Sequence, residues 1–119
     1  MILCALASLW HWMQRSDVTD RNLSIGHWQV SRAFALSGQG ENSMRHGEHS
    51  LAYAKELSPF YLGYAHEAIA RAAGLLNDEA SFRTHLQNAQ DLAAKVEDQE
   101  ERSALDADLH ALATRWGKA

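Results

Sequence analysis

The sequence predicts an all-α protein, an antiparallel helix-hairpin stack of about six helices. Three observations carry that prediction. A ten-residue pattern occurs twice at a fixed offset of 39: His27, Val30, Ser31, Arg32, Ala33 and Leu36, then His66, Ile69, Ala70, Arg71, Ala72 and Leu75. Self-similarity at such a period marks a helical-repeat array, in which each unit buries its apolar face against the next. Apolar residues recur three and four apart, and no segment alternates with period two for long enough to be a strand. Breakers are few, with one proline and seven glycines in 119 residues.

The elements follow in order. Ile2 to Gln14 reads as a first, strongly apolar helix, and the polar stretch Ser16-Asp17-Val18-Thr19-Asp20 as a turn. A second helix is expected from about Arg21 to Ser37, with Thr19 or Asp20 as N-cap, ended by Gly38-Gln39-Gly40 because glycine accepts the left-handed conformation of a helix stop. The third runs from about Glu41 to Leu57 with an inner stripe of Met44, Gly47, Leu51 and Ala54. Ser58-Pro59 starts the fourth, serine as cap and proline at the first helical position; its apolar face is Tyr61, Tyr64, Ala65, Ala68, Ile69, Ala72 and Leu75. Asn77-Asp78 is the next turn and cap. The fifth helix, about Glu79 to Val96, carries Phe82, Leu86, Ala89, Ala93 and Val96 on one face. Asp98 followed by Glu101 resembles a capping box and opens the sixth, Gln99 to Trp116, which buries Leu105, Leu109, Leu112 and Trp116 and stops at Gly117. Short links make consecutive helices antiparallel. Small residues at Ser31, Ala35, Gly47, Ala70 and Ala89 allow the paired backbones to approach closely. This divides one domain into an N-terminal helix (1–20), repeat one (21–57), repeat two (58–96) and a C-terminal capping helix (97–119).

Composition narrows the class. Apolar residues make up 46% and charged residues 22%, as in ordinary globular proteins. A net charge of −4 and a pI near 5.9 leave no basic footprint for nucleic acid. The single Cys4 cannot close an internal disulfide, so a reducing, cytoplasmic setting is expected, with Cys4 as a small core residue. Met1–Met13 falls short of the about 20 residues that span a bilayer and lacks the charged start and cleavage site of a signal peptide. It reads as a buried helix, with no membrane role. The chain opens inside it without a cap, which leaves either an upstream segment or a partner chain to cover that face.

The helix pairs resemble tetratricopeptide repeats. In that family a small residue sits midway along the first helix, an aromatic follows three residues on, and a Gly-Asp-like turn leads to a second helix with two small positions. Ser31, Phe34, Gly38, Ser43 and Ser50 hold those places in the first copy, and Ala70, Ala73, Asn77-Asp78, Phe82 and Ala89 in the second. The likeness covers about Ile25 to Ala93. The period is 39 here against about 34 in the family, alanine replaces the aromatic at Ala73, and a bulky ring replaces a small residue at Phe82. The runs HWQVSRAFAL and PFYLGYAHEAIARAAG are also similar to those of small uncharacterised bacterial proteins. The resemblance implies a right-handed superhelix whose first helices line a concave groove. Its lining would be Trp28, Arg32 and Leu36 from one repeat, and Tyr64, Glu67, Arg71 and Leu75 from the next.

Arg32 and Arg71 hold equivalent places, and two guanidinium forks on one face suit a carboxylate or a peptide C-terminus, with Trp28 and Tyr64 adding apolar contact. The competing reading has each arginine covering apolar surface or pairing with an acid, such as Glu67 four residues before Arg71. Among seven histidines, His46 and His49 are helix neighbours with Glu48 between them, but no third ligand is spaced for a metal, so they read as surface residues and no metal or cofactor is expected. His27 and His66 sit at matched positions and are expected to share a packing or capping role. No phosphate loop, nucleophile elbow or carboxylate pair supports catalysis. Trp10 and Trp12 face different sides of the first helix; with Ile2, Leu6 and Leu9 they are the candidate surface for a homodimer, unless the sixth helix covers them. The expected function is therefore non-catalytic binding of a protein or peptide, through its carboxylate where one is offered. The alternatives are a small anionic ligand, bound or transformed in an aromatic and arginine pocket around Trp28, Tyr61 and Tyr64, and a purely structural dimer.

Overall fold

Small side chains at the contacts between consecutive helices set the architecture. The computed structural model describes residues 1–117, and the last two residues of the C-terminal segment, 118 and 119, lie outside the described residues. Six helices follow one another: α1 (Ile2–Gln14), α2 (Asp20–Leu36), α3 (Gly40–Ala54), α4 (Pro59–Leu75), α5 (Glu79–Ala93) and α6 (Gln99–Trp116). No strand occurs among the described residues, and none of these helices is long and apolar enough to cross a membrane.

The helix starts have local causes. Thr19 accepts the Asn22 N–H while the Asn22 side chain accepts the Thr19 N–H, a capping box with asparagine in the usual Glu/Gln place. Asp78 accepts from Ser81 N–H at 3.1 Å and Asp98 from Glu101 N–H at 2.9 Å. Ser58 stands at the N-cap of α4 but makes no side-chain cap bond; Pro59 pre-sets the first turn and needs no N–H partner. Each hairpin turns through one left-handed residue, Gly38 at φ 77° and Asn77 at φ 58°, and these are again 39 apart. Both second helices end three residues earlier than their spacing predicts, α3 at Ala54 and α5 at Ala93. Pro59 holds Ser58 extended, so the chain unwinds ahead of it. Val96 reaches the core from the α5–α6 loop instead of from the helix.

Helices α2, α4 and α6 lie side by side, with α3 set against α2 and α4 and α5 set against α4 and α6. The two hairpins are held differently. Between α2 and α3 the close contact is polar: Ser31 Oγ donates to the Ser43 carbonyl at 2.7 Å, and Ser24 and Ser50 each donate to the other's carbonyl at 3.0 and 2.8 Å, all buried. The equivalent positions of repeat two are Gly63, Ala70, Phe82 and Ala89, and there the contact is apolar. The inner stripe of α3 is accordingly Ser43, Gly47, Ser50 and Ala54, with Met44 and Leu51 only half-buried. A Cβ on Gly47 would stand 3.2 Å from the Ile69 side chain, so the α3–α4 approach is close enough there that any larger residue must push Ile69 aside. The main apolar cluster gathers Ala70 and Ala73, Phe82 and Leu86, and Leu105, Leu109 and Leu112.

Helix α1 departs from expectation. Among the described residues it packs on α2 alone, and Leu9, seated against Gly26, is its single buried residue. Cys4 is exposed, not in the core. Because α1 has a neighbour on one side only, a stripe of Leu3, Trp10 and Met13 stays open, Leu3 at 81% and Trp10 at 63% exposure. Ile2, Leu6 and Trp12 are half-buried, and α6 makes no contact with this helix.

Two substitutions at one position test the packing. Ser31→Ala removes a buried hydrogen bond and is expected to cost about 1 kcal/mol. Ser31→Leu overfills the α2–α3 contact and is expected to cost about 2 kcal/mol or more. Urea denaturation followed by circular dichroism reads both.

Candidate functional site

One continuous face carries the residues that the repeat positions bring together. On α2, Ile25, Trp28, Arg32 and Leu36 fall at helical spacing; on α4, Tyr61, Tyr64, Arg71 and Leu75 do the same. Asp108, Ala111 and Arg115 continue the face on α6. One end is an apolar cleft of about 370 Å³ lined by Ile25, Trp28, Phe60, Tyr61, Tyr64 and two serines. Its rings meet edge to face, Trp28 with Tyr64 at 5.4 Å between centroids and Phe60 with Tyr64 at 5.1 Å, so the cleft has a stiff aromatic wall. The other end is a cavity of about 190 Å³ lined by Arg32, Arg71 and Arg115 together with Leu36, Leu75 and Asp108.

The two ends are braced by a buried carboxylate. Glu67 is completely buried, and its oxygens take two donors: the Trp28 indole N–H at 2.9 Å and the Arg71 guanidinium. Trp28 and Glu67 are equivalent positions of the two repeats, so donor and acceptor meet across neighbouring first helices. Arg71 retains 12% exposure of its side chain, on the cavity wall. Its Nη1 is the buried side-chain nitrogen or oxygen that has no hydrogen-bond partner among the described residues. Arg32 lies over the Trp28 ring at 5.6 Å and Arg115 over the Trp116 ring at 4.2 Å. Neither makes an ion pair among the described residues. Tyr64 donates to Asp108 at 2.6 Å and ties α4 to α6. Burial first, then this carboxylate, pushes the phenol well above its usual value, so Tyr64 remains the donor.

Every groove position named from the sequence therefore has a definite place. Trp28, Arg32, Tyr64 and Arg71 are half-buried along the face, and Leu36 is exposed at its edge. Glu67 lies beneath the face as a brace and does not line it. Asp108, Arg115 and Phe60 belong to the same face without having been singled out by sequence. For Asp108 and Arg115 the signal was a third first helix after two complete hairpins, which continues the face where a cap would end it; Phe60 stands at the start of α4.

The histidines form a second constellation. His27 and His46 approach Nδ1 to Nδ1 at 3.0 Å, and the equivalent His66 and His85 at 2.8 Å, each pair joining the two helices of one repeat. His46 is therefore half-buried in a pair and not a surface residue, while His49 is exposed. Burial, then His46 and His49, lowers His27 to about 4; burial, then His85, lowers His66 to about 4. His46 and His85 are lowered too, chiefly by burial. Near neutral pH one ring of each pair donates and the other accepts. No group of three or more His, Cys, Asp or Glu is placed to hold a metal ion among the described residues.

Comparison with known proteins finds no matching family model, no similar curated protein and no matching solved structure.

Two measurements check the site. Glu67→Gln strips the buried charge that pairs Arg71 and is expected to cost about 3 kcal/mol, while Trp28→Phe leaves one buried acceptor unpaired at about 1–2 kcal/mol; urea midpoints separate them. For the histidines, the unfolded chain takes up protons near pH 6.5 while folded His27 and His66 do so only near pH 4. The histidine contribution to stability is expected to be full above about pH 6.5, to fall as pH drops through that window, and to be fully lost below about 4. Melting temperatures between pH 7.5 and 4 should show that slope, and His27→Gln/His66→Gln should flatten it.

Proposed function

We propose that this chain is a tetratricopeptide-like, non-catalytic module, bacterial and cytoplasmic in setting, that binds an extended segment of a partner protein along the face of α2, α4 and α6. The observation that carries this reading is the pairing of an aromatic cleft with a three-arginine cavity on one continuous face. Apolar clefts with a few polar groups at fixed places are what ligands select, and a run of helices side by side offers room for several residues of an extended chain. The brace of Trp28, Glu67 and Arg71 supports the reading because it fixes the face before a ligand arrives, which lowers the entropic cost of binding. Self-association belongs to the same reading, through α1, whose Leu3, Trp10 and Met13 stripe supports it. A small anionic ligand is the second reading, favoured by the arginine-lined cavity.

Selection from a random peptide library with free C-termini tests the proposal. The expected result is enrichment of peptides that pair apolar or aromatic residues with a negative charge. Arg32→Glu is expected to weaken the enriched peptides about tenfold, as loss of a charge-assisted contact of about 1.5 kcal/mol requires. Circular dichroism should show both proteins equally folded. No enrichment, or enrichment indifferent to Arg32→Glu, removes the groove as a peptide site.

A further inference from the structure

The geometry points to a carboxylate-binding pocket between α2, α4 and α6, in which the Arg71 guanidinium is the fixed floor and Arg32 and Arg115 are the arms. This names the ligand chemistry of the face and rests on its reading as a binding surface. Four observations converge. Three guanidinium groups, one from each of three neighbouring helices, line one cavity of about 190 Å³. Arg71 is held by Glu67 through Nη2, and Glu67 is held in turn by Trp28, so the fork cannot swing away. Its Nη1 is buried without a hydrogen-bond partner among the described residues, a costly state for a charged donor that an oxyanion relieves. Among the described residues Arg32 and Arg115 rest on aromatic rings and make no ion pair, which leaves their donors available.

Charge decides between anions. Arg71 is balanced by Glu67, and Asp108 stands in the wall against Arg32 and Arg115, so the pocket carries one net positive charge. A planar monoanion with two acceptor oxygens matches that charge and the guanidinium fork. A phosphate dianion brings a second charge toward Asp108. The carboxylate has two sources, a peptide chain end or a free organic acid, and both present the same group.

The test is a titration of the ¹⁵N-labelled chain, following the arginine Nε–H resonances. Acetate and N-acetyl-leucine are expected to shift Arg71, Arg32 and Arg115 saturably and to leave Arg83, on the exposed surface of α5, unmoved. N-acetyl-leucinamide, which lacks the carboxylate, is expected to shift none of them. Arg71→Gln leaves Glu67 unpaired and risks unfolding, so Arg32→Gln and Arg115→Gln serve as variants, each expected to raise Kd about tenfold. Peptides from the library selection that lose about tenfold on C-terminal amidation place a chain end in the pocket. Peptides indifferent to amidation, with acetate still bound at Arg71, make a free acid the occupant. Absence of saturable shifts, equal shifts at Arg83, unchanged Kd in both variants, or tighter binding of inorganic phosphate than of acetate overturns the carboxylate pocket. Peptide selection can still succeed in that event, so the two readings fail separately.

Discussion

The Glu67 carboxylate is the constraint on which the arrangement of the two repeats depends. A buried charge is tolerated only when donors surround it, and Glu67 recruits one from each side, the Trp28 indole across the α2–α4 contact and Arg71 within α4. The Trp28 ring and the Arg71 fork are therefore both fixed against one group. The aromatic cleft and the arginine cavity are consequently two ends of one rigid face, with Trp28 as part of both the cleft wall and the brace.

The repeats reuse positions with different chemistry. Residues 28 and 32 form a ring and cation pair, whereas their counterparts 67 and 71 form an ion pair. The hairpin contact follows the same logic, with hydrogen-bonded serines in repeat one and glycine, alanine and phenylalanine in repeat two. Serine and alanine have similar volumes, so Ser31 and Ala70, like Ser50 and Ala89, permit a close backbone approach, whereas Phe82 puts a ring of the main apolar cluster where Ser43 has a hydroxyl. The serine version adds direction, because each hydroxyl must find a particular carbonyl. The histidine pairs are the part kept alike in both copies, down to the ring nitrogens that meet.

Much of this was legible in the sequence because it is local. The bounds of α1 and α6, the caps at Asp78 and Asp98, and the buried face of α5 follow from spacing and capping residues. The ends of α3 and α5 were not, since a loop that must reach the next cap overrides helix-forming side chains. Cys4 and α1 are more exposed than their composition implies, because apolar composition says that a face wants cover and not whether a neighbour supplies it. The i, i+4 spacing offers the Arg71–Glu67 pair as the alternative to a ligand-facing arginine, and the pair forms, but the indole that completes the brace lies 39 residues away and has no local signature. Asp108 and Arg115 join the face only once α6 is seen beside α4.

Helices here touch only near neighbours, and that has a consequence for how the chain loosens. Helix α4 is enclosed by α2, α3, α5 and α6 and carries nine buried residues, whereas α1 leans on α2 with one. In a quasi-one-dimensional stack, free energy is distributed as a sum over adjacent contacts. Opening therefore starts at the N-terminal end and advances inward, and amide protons of α1 exchange long before those of α4. Tyr64 and Arg71 sit on the last element to open and stay in register, whereas Trp28, Arg32 and Leu36 share a hollow with Cys4, Ala5 and Ser8 and feel fluctuations of the α1 end first.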